Sequence, residues 1–393
     1  MIVTKMASPT PILSATLQED DVAIAQQWLQ KARSEWYETE LVEKWQNEFA
    51  HWLGVKQAFA FMGGRSSLYA VVQSLELQPE DEVIIPAFTC QAVVNAYRFH
   101  GVIPCYADIE LQTYGLDIDS VRKIYTPKCK AIMLQYTFGL ISRDIEELIQ
   151  FARDKGLYII EDCAHSLGAS YKGQKLGTLG DVAVFSSERS KIINTIHGGM
   201  VTTNNQNLIE RMQQIYEHAP LPSEEKIERL LNTVIQNYAL YHQHGQTSGS
   251  PNQVFAAKDI LPQMFEDELR GEFCAHYQEK MCAPVAALSL NQFRKRDIFH
   301  FKRLEAAKKW DVWCDAQGYA KPLVIKDSIP TFLRYPVLVT PEKKKDLSWV
   351  EKELNITAGV WFTSACHPAP LEPENCPNGA QAAKRCINLP TLL

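Results

Sequence analysis

The chain has 393 residues, 46% apolar and 22% charged, with a net charge of −6. That is long enough for two domains with full cores, in an ordinary globular composition. The acidic balance gives no basic footprint for nucleic acid, and no apolar run approaches the roughly 20 residues that cross a bilayer, so nucleic acid and membrane are excluded as partners. Residues 1–9 lack the apolar core of a secretory signal. The ten cysteines are scattered with no Cys-x-x-Cys pair, and Cys105 and Cys163 sit in apolar runs as reduced core thiols. Together these imply a cytoplasmic protein.

In chain order, residues 19–33 carry acids first and bases last, with apolar positions at helical spacing, which predicts a helix with its dipole complemented. Leu41, Trp45, Phe49 and Trp52 predict a second helix over 40–53, stopped by Gly54. A strand at 58–62, the Gly63-Gly64 turn and a helix through Leu75 follow. Such a turn offers backbone amides to a phosphate, although a plain strand–helix turn reads the same. Further strands are expected at 82–89, 102–109 and 131–139, then a helix at 145–154. The run 157–160 ends in Glu161-Asp162, and 182–185 lies between Gly180-Asp181 and Ser186-Ser187, just ahead of Lys191. Strands alternating with helices at this spacing predict an α/β fold with a mainly parallel sheet. Ligands bind such sheets at the carboxyl ends of strands, so Asp162 and Lys191 would face one crevice. Taken singly, each also reads as an ordinary cap or surface charge.

Beyond residue 220 the pattern is looser. A helix is expected at 224–241, a loop at 243–252, and one long helix from 284 to 315 whose basic residues form a solvated face. A strand at 331–339, a helix at 343–354 and apolar runs at 360–362 and 387–390 complete a small α/β domain in which Arg334, Trp361 and Phe362 are candidates for substrate contact. The domain expectation is an N-terminal helical segment at 1–54, a large domain at 55–280 with an insertion at about 220–278, and a small domain at 281–393.

An acid closing one strand and a lysine beyond the next suit pyridoxal phosphate. The amine forms a Schiff base with the cofactor aldehyde, and the acid keeps the pyridinium protonated. The run from Glu161 through Ala169, then Tyr171-Lys172-Gly173, Gly177 to Asp181, Phe185-Ser186, Lys191 and Gly198 to Asn204 resembles the DegT/DnrJ/EryC1/StrS family of pyridoxal-phosphate aminotransferases. The resemblance is close over 56–212 and weaker from about 280 onward. It implies fold type I, with a large domain holding a mainly parallel seven-stranded sheet and a smaller C-terminal α/β domain. It also implies a homodimer, no metal, a small-molecule amino donor (glutamate) and a keto acceptor carried on a nucleotide sugar. Residue by residue, it assigns Lys191 to the Schiff base and Asp162 to the ring nitrogen. It places His165 by the phenolic oxygen, and Gly64, Arg65, Ser66 and Ser186 at the phosphate. Cys90 stands where the family has a stacking aromatic, so that Phe88 or another ring substitutes or the contact is lost. Arg65 replaces a threonine, and Gln278-Glu279-Lys280 replaces an Asn-Tyr-Arg motif that reaches the neighbouring subunit's phosphate. Histidine at the lysine position marks related dehydratases, so Lys191 favours transamination. A dehydratase or lyase and a catalytically silent regulatory protein stay open as alternatives.

Overall fold

Seven of the apolar runs form a single sheet. Its strands are β1 (Gln57–Phe61), β2 (Glu82–Pro86), β3 (Ile103–Ala107), β4 (Cys129–Gln135), β5 (Tyr158–Asp162), β6 (Val182–Ser186) and β7 (Gly199–Thr203). Their spatial order is β1-β7-β6-β5-β4-β2-β3. Strand β7 runs antiparallel to both neighbours, and the other pairs are parallel. This is the seven-stranded, mainly parallel sheet expected, its inner strands buried and the edge strand β3 only partly covered. The computed structural model describes residues 16–242 and 257–393. The N-terminal stretch 1–9 and the loop expected at 243–252 lie outside the described residues.

Helices α1 (Glu19–Gln30) and α2 (Glu40–Leu53) join the core of the sheet. Gly54 ends α2 in a left-handed conformation, with φ 85°, which glycine adopts without steric cost. Trp45 and Phe49 pack edge-on against Phe293 and Phe185, binding α2 both to the helix Ala283–Arg294 and to β6.

The single helix expected at 284–315 is two helices, Ala283–Arg294 and Arg296–Gln317, meeting at Lys295. No glycine or proline marks the break. Instead the Lys295 amine reaches back to Asp20 and Asp21, at 2.8 Å from each. The strand expected at 331–339 shortens to Tyr335–Leu338, because the amides of Thr331 and Leu333 bond to Gly139 and Phe138 across the chain. The helix expected at 343–354 is divided into Pro341–Lys345 and Ser348–Leu354. Residues 360–362 form no strand; the Trp361 amide donates to the Asn388 side chain at 2.8 Å. All ten cysteines are free thiols, Cys163 in the core and Cys105 only half-buried on the edge strand β3. Among the described residues no helix is long and apolar enough to cross a membrane.

Asp21 fixes the N-terminal helix to this body. Its carboxylate is fully buried and accepts from the amide of Gln18 and from the side chains of Asn291, Gln292 and Lys295, at 2.6–2.9 Å. Replacing it leaves the Lys295 ammonium partly buried beside Asp20 alone and strips three other donors. Asp21→Ala should therefore lose about 3–5 kcal/mol of stability, the range for breaking one side of a buried pair. Denaturant unfolding checks this, and a loss within the error of the fit would contradict it.

Candidate active site

Strands β5 and β6 are adjacent and parallel, with Asp162 opposite Val184. Both therefore leave the sheet at the same edge. Asp162 is the last residue of β5, and the loop after Ser186 carries Lys191 back over that edge. The two side chains line one cleft, together with Gly64, Ser66, His165 and Ser186. Asp162 is 7% exposed, and its Oδ1 accepts from the Ala164 amide at 3.0 Å. Burial raises its carboxyl above the ordinary value, while that amide and the Lys191 charge pull the other way. Burial lowers the Lys191 amine, opposed by Glu188, Cys90 and Asp162 and reinforced by Arg334. His165 Nδ1 accepts from the Phe138 amide at 3.1 Å, which leaves the ring proton on Nε2. Burial holds this imidazole well below its ordinary pKa, so it is neutral.

At the other end of the cleft the helix α3 (Gly64–Ser74) presents its N-terminus. Among the described residues the amides of Gly64, Arg65 and Ser66 have no hydrogen-bond partner. Three such donors on the positive end of a helix dipole form an anion site. A Cβ on Gly64 would lie 2.9 Å from the Ser186 Cβ, so glycine lets β6 approach the helix start. Ser186 stands beside these amides, its hydroxyl accepting from the Glu188 amide at 3.3 Å.

A family described as the DegT/DnrJ/EryC1/StrS aminotransferase family matches residues 18–392. The chain belongs to that family. It is 37% identical over 172 residues to GDP-perosamine synthase of Caulobacter vibrioides, a match covering 44% of this chain and 46% of the relative. The chain thus spans about half the length of that relative. It is 26% identical over 387 residues to the spore coat polysaccharide biosynthesis protein SpsC of Bacillus subtilis, covering 95% of this chain and 88% of SpsC. Among solved structures it is similar to DesV of S. venezuelae, with a TM-score of 0.73 at 21% identity, covering 98% of this chain and 93% of that one. At that identity the likeness shows the fold.

Against the family pattern, several site residues stand elsewhere than expected. Phe88 does not line the cleft. The backbone bends at Ala87-Phe88 and turns the ring into a separate hydrophobic cluster with Tyr114, Phe138 and Phe362, edge-on to Phe362 at 5.0 Å. Cys90 does line the cleft, so the stacking aromatic is absent from that position. The Ser66 hydroxyl donates to the His276 carbonyl at 2.9 Å, leaving its amide as the group free for a phosphate. The Arg65 guanidinium forms an ion pair with the fully buried Glu268 and donates to the Gln263 carbonyl at 3.2 Å. Lys226, Phe265 and His276, from the region expected to be an insertion, line the cleft. Glu279 pairs with Lys226. Trp361 stacks on His165 at 5.3 Å and 8°. No local sequence signal pointed to Lys226, Phe265 or His276, whose neighbours in the cleft are remote in the chain.

Two outcomes follow from these charges. Arg65→Met leaves the Glu268 carboxylate buried without its cation, and should cost about 3–5 kcal/mol. Adding Glu268→Leu should recover much of that loss, and a double variant as unstable as the single one would refute the pairing. The Lys191 pKa is lower in the fold than in the unfolded chain, so protonation favours unfolding. Lys191→Met without cofactor should therefore melt higher than the parent at neutral pH. The gap should close as pH rises from the depressed folded value through the ordinary lysine value of 10.5. Melting curves across that range test the sign.

Proposed function

We propose that this protein is a pyridoxal-phosphate-dependent aminotransferase that takes nitrogen from an amino acid, glutamate, and gives it to a keto group on a nucleotide-linked sugar. The observation that carries this reading is the convergence of Asp162, Lys191 and the open helix start at Gly64 on one cleft. Family membership supports the cofactor and the reaction type. The sugar assignment is supported by the names of relatives: GDP-perosamine synthase, and a dTDP-3-amino-3,6-dideoxy-alpha-D-galactopyranose transaminase 27% identical over 323 residues.

The residues suit the cofactor group by group. The free amides of Gly64, Arg65 and Ser66 and the Ser186 hydroxyl would hold the phosphate. Asp162, with Oδ2 unpaired among the described residues, would hold a proton on the ring nitrogen. A cationic partner there offsets the burial that otherwise disfavours its charge. His165 Nε2–H would donate to the phenolic oxygen. When bound, pyridoxal phosphate supplies an electron sink and carries the amino group between the two substrates. Lys191 Nζ would take a proton from the donor's α-carbon, and its lowered pKa keeps more of the amine in the basic form. Two copies of the chain form the working dimer, as the family resemblance implies.

Absorbance tests this directly. Purified protein loaded with pyridoxal phosphate should be yellow, and L-glutamate should bleach that colour. Lys191→Ala should abolish the response, and Asp162→Ala should slow it by about 100-fold or more, the scale of a lost charge-stabilising group. A protein that stays yellow with every amino acid offered would defeat the aminotransferase reading.

A further inference from the structure

His197 stands two residues ahead of β7. A closed loop fixes its backbone. The Ser187 amide donates to the Gly198 carbonyl at 2.9 Å, the Thr195 amide to the Ser187 carbonyl at 2.8 Å, and the Thr195 hydroxyl to the His197 carbonyl at 2.9 Å. Gly199, the first residue of β7, pairs with Phe61 at the end of β1. A Cβ on Gly199 would overlap the Gly63 carbonyl, so β7 begins directly against the turn that starts α3. The loop thereby delivers the His197 side chain to the wall of the cleft that also holds Gly64, Arg65 and Ser66.

His197 is 6% exposed, and its Nε2 is enclosed without a hydrogen-bond partner among the described residues. The ring beside it is apolar: Phe265 meets it edge-on, with centres 6.2 Å apart. Burial holds the imidazole well below its ordinary pKa, and Lys226, Arg65, Arg189 and His276 push the same way. The ring is therefore neutral, with one N–H to give. A buried polar nitrogen left unpaired is unfavourable, and a ligand that pairs with it removes that cost. The side chains whose charges act on this ring are all basic, so its surroundings disfavour a cationic ligand. Arg65, Lys226 and Arg189 are already engaged by Glu268, Glu279 and Glu188. The Ser66 hydroxyl is engaged by the His276 carbonyl at 2.9 Å. Of the side chains around the helix start, His197 thus keeps a neutral donor in reserve. A phosphate monoester presents three strong acceptor oxygens, and a neutral imidazole can place its proton on Nε2 to meet one of them.

We propose that His197 binds the phosphate monoester of the cofactor, donating from Nε2 to an oxygen of the group seated on the α3 amides. This rests on the aminotransferase reading, which supplies that phosphate. The helix amides hold the group from one side and His197 from the side of β7. Phosphate on the nucleotide of the acceptor shares this chemistry, and the experiment separates the two sources.

The full chain is stripped of cofactor and compared as wild type, His197→Leu and His197→Gln. Each is titrated with pyridoxal phosphate and with pyridoxal, which keeps the aldehyde and lacks the phosphate, and Schiff-base absorbance is read. In His197→Leu the Kd for pyridoxal phosphate should rise about 10- to 100-fold, the scale of a lost hydrogen bond to a charged group. Pyridoxal should bind it as it binds wild type. His197→Gln, which returns an N–H donor, should recover part of the loss. Inorganic phosphate should raise the melting temperature of the stripped wild type above that in chloride of equal ionic strength, and this difference should shrink in His197→Leu. With no ligand, His197→Leu should melt no lower than wild type, since Nε2 gives up no hydrogen bond. If His197→Leu keeps the wild-type preference for pyridoxal phosphate over pyridoxal, this assignment falls and the aminotransferase reading stands. A loss confined to stabilisation by GDP or dTDP, with that preference intact, gives the histidine to the acceptor and overturns it. A lower melting temperature with the preference intact marks a structural histidine and overturns it equally. If wild type forms a Schiff base with neither aldehyde, both readings fall together.

Discussion

Two parallel strands lying side by side govern the site. Because β5 and β6 run in the same direction, an acid at the end of one and an amine shortly after the other emerge at a common edge. The sheet interior then removes both from water, and burial pushes each toward its neutral form, Asp162 upward and Lys191 downward. Their mutual attraction works against that push. A cationic ring nitrogen on a ligand would favour the ionised form of Asp162, as the Lys191 charge already does. The interior residues of the two strands, Ile159 and Ile160 on β5 and Ala183 and Val184 on β6, are all buried within the sheet.

What the sequence disclosed is what depends on near neighbours. The helix at 40–53 with its Gly54 stop, the helix at 145–154 and the strand ends at Asp162 and Ser186 follow from local periodicity and turn chemistry. Lys191 was legible because a strand, a short loop and a strand confine it within a few tens of residues. The rest is governed by remote partners. Arg65 reads as a phosphate ligand until Glu268, 203 positions away, claims its guanidinium. Lys295 breaks a helix that every local rule would continue, because Asp20 and Asp21 stand 270-odd positions upstream. Phe88 has the composition of a ring-stacking residue, but a bend of two residues turns it to a different core. In each case propensity was overridden by a tertiary partner that no window of sequence contains.

The least family-like stretch is held over the cleft mainly through its own carbonyls. Ile260 accepts from Arg229, Leu261 and Pro262 from Arg189, and Glu268 from both Gln91 and Asn95. Backbone acceptors are offered by any residue type, so most of this cover is fixed without demanding particular side chains of its own. Glu268 is the exception, since its carboxylate pairs with Arg65 and accepts from the Tyr277 hydroxyl at 2.7 Å. The cover thereby brings Phe265 to the wall of the cleft, where its ring lies 4.0 Å from that of His276.

This arrangement sorts the cations of the cleft into two kinds. Arg65, Lys226 and Arg189 have carboxylates supplied by the chain itself, and their charge is largely spent on holding the cover in place. Paired in this way, they add little net field for a ligand, and anion binding at the helix start falls to neutral amides whose partners are missing. Arg334 is the opposite case, a formal charge kept dry on an indole face with its donors unspent. A fold stabilised only for itself would replace such a group with an apolar side chain of similar volume, which is neutral or favourable in a buried position.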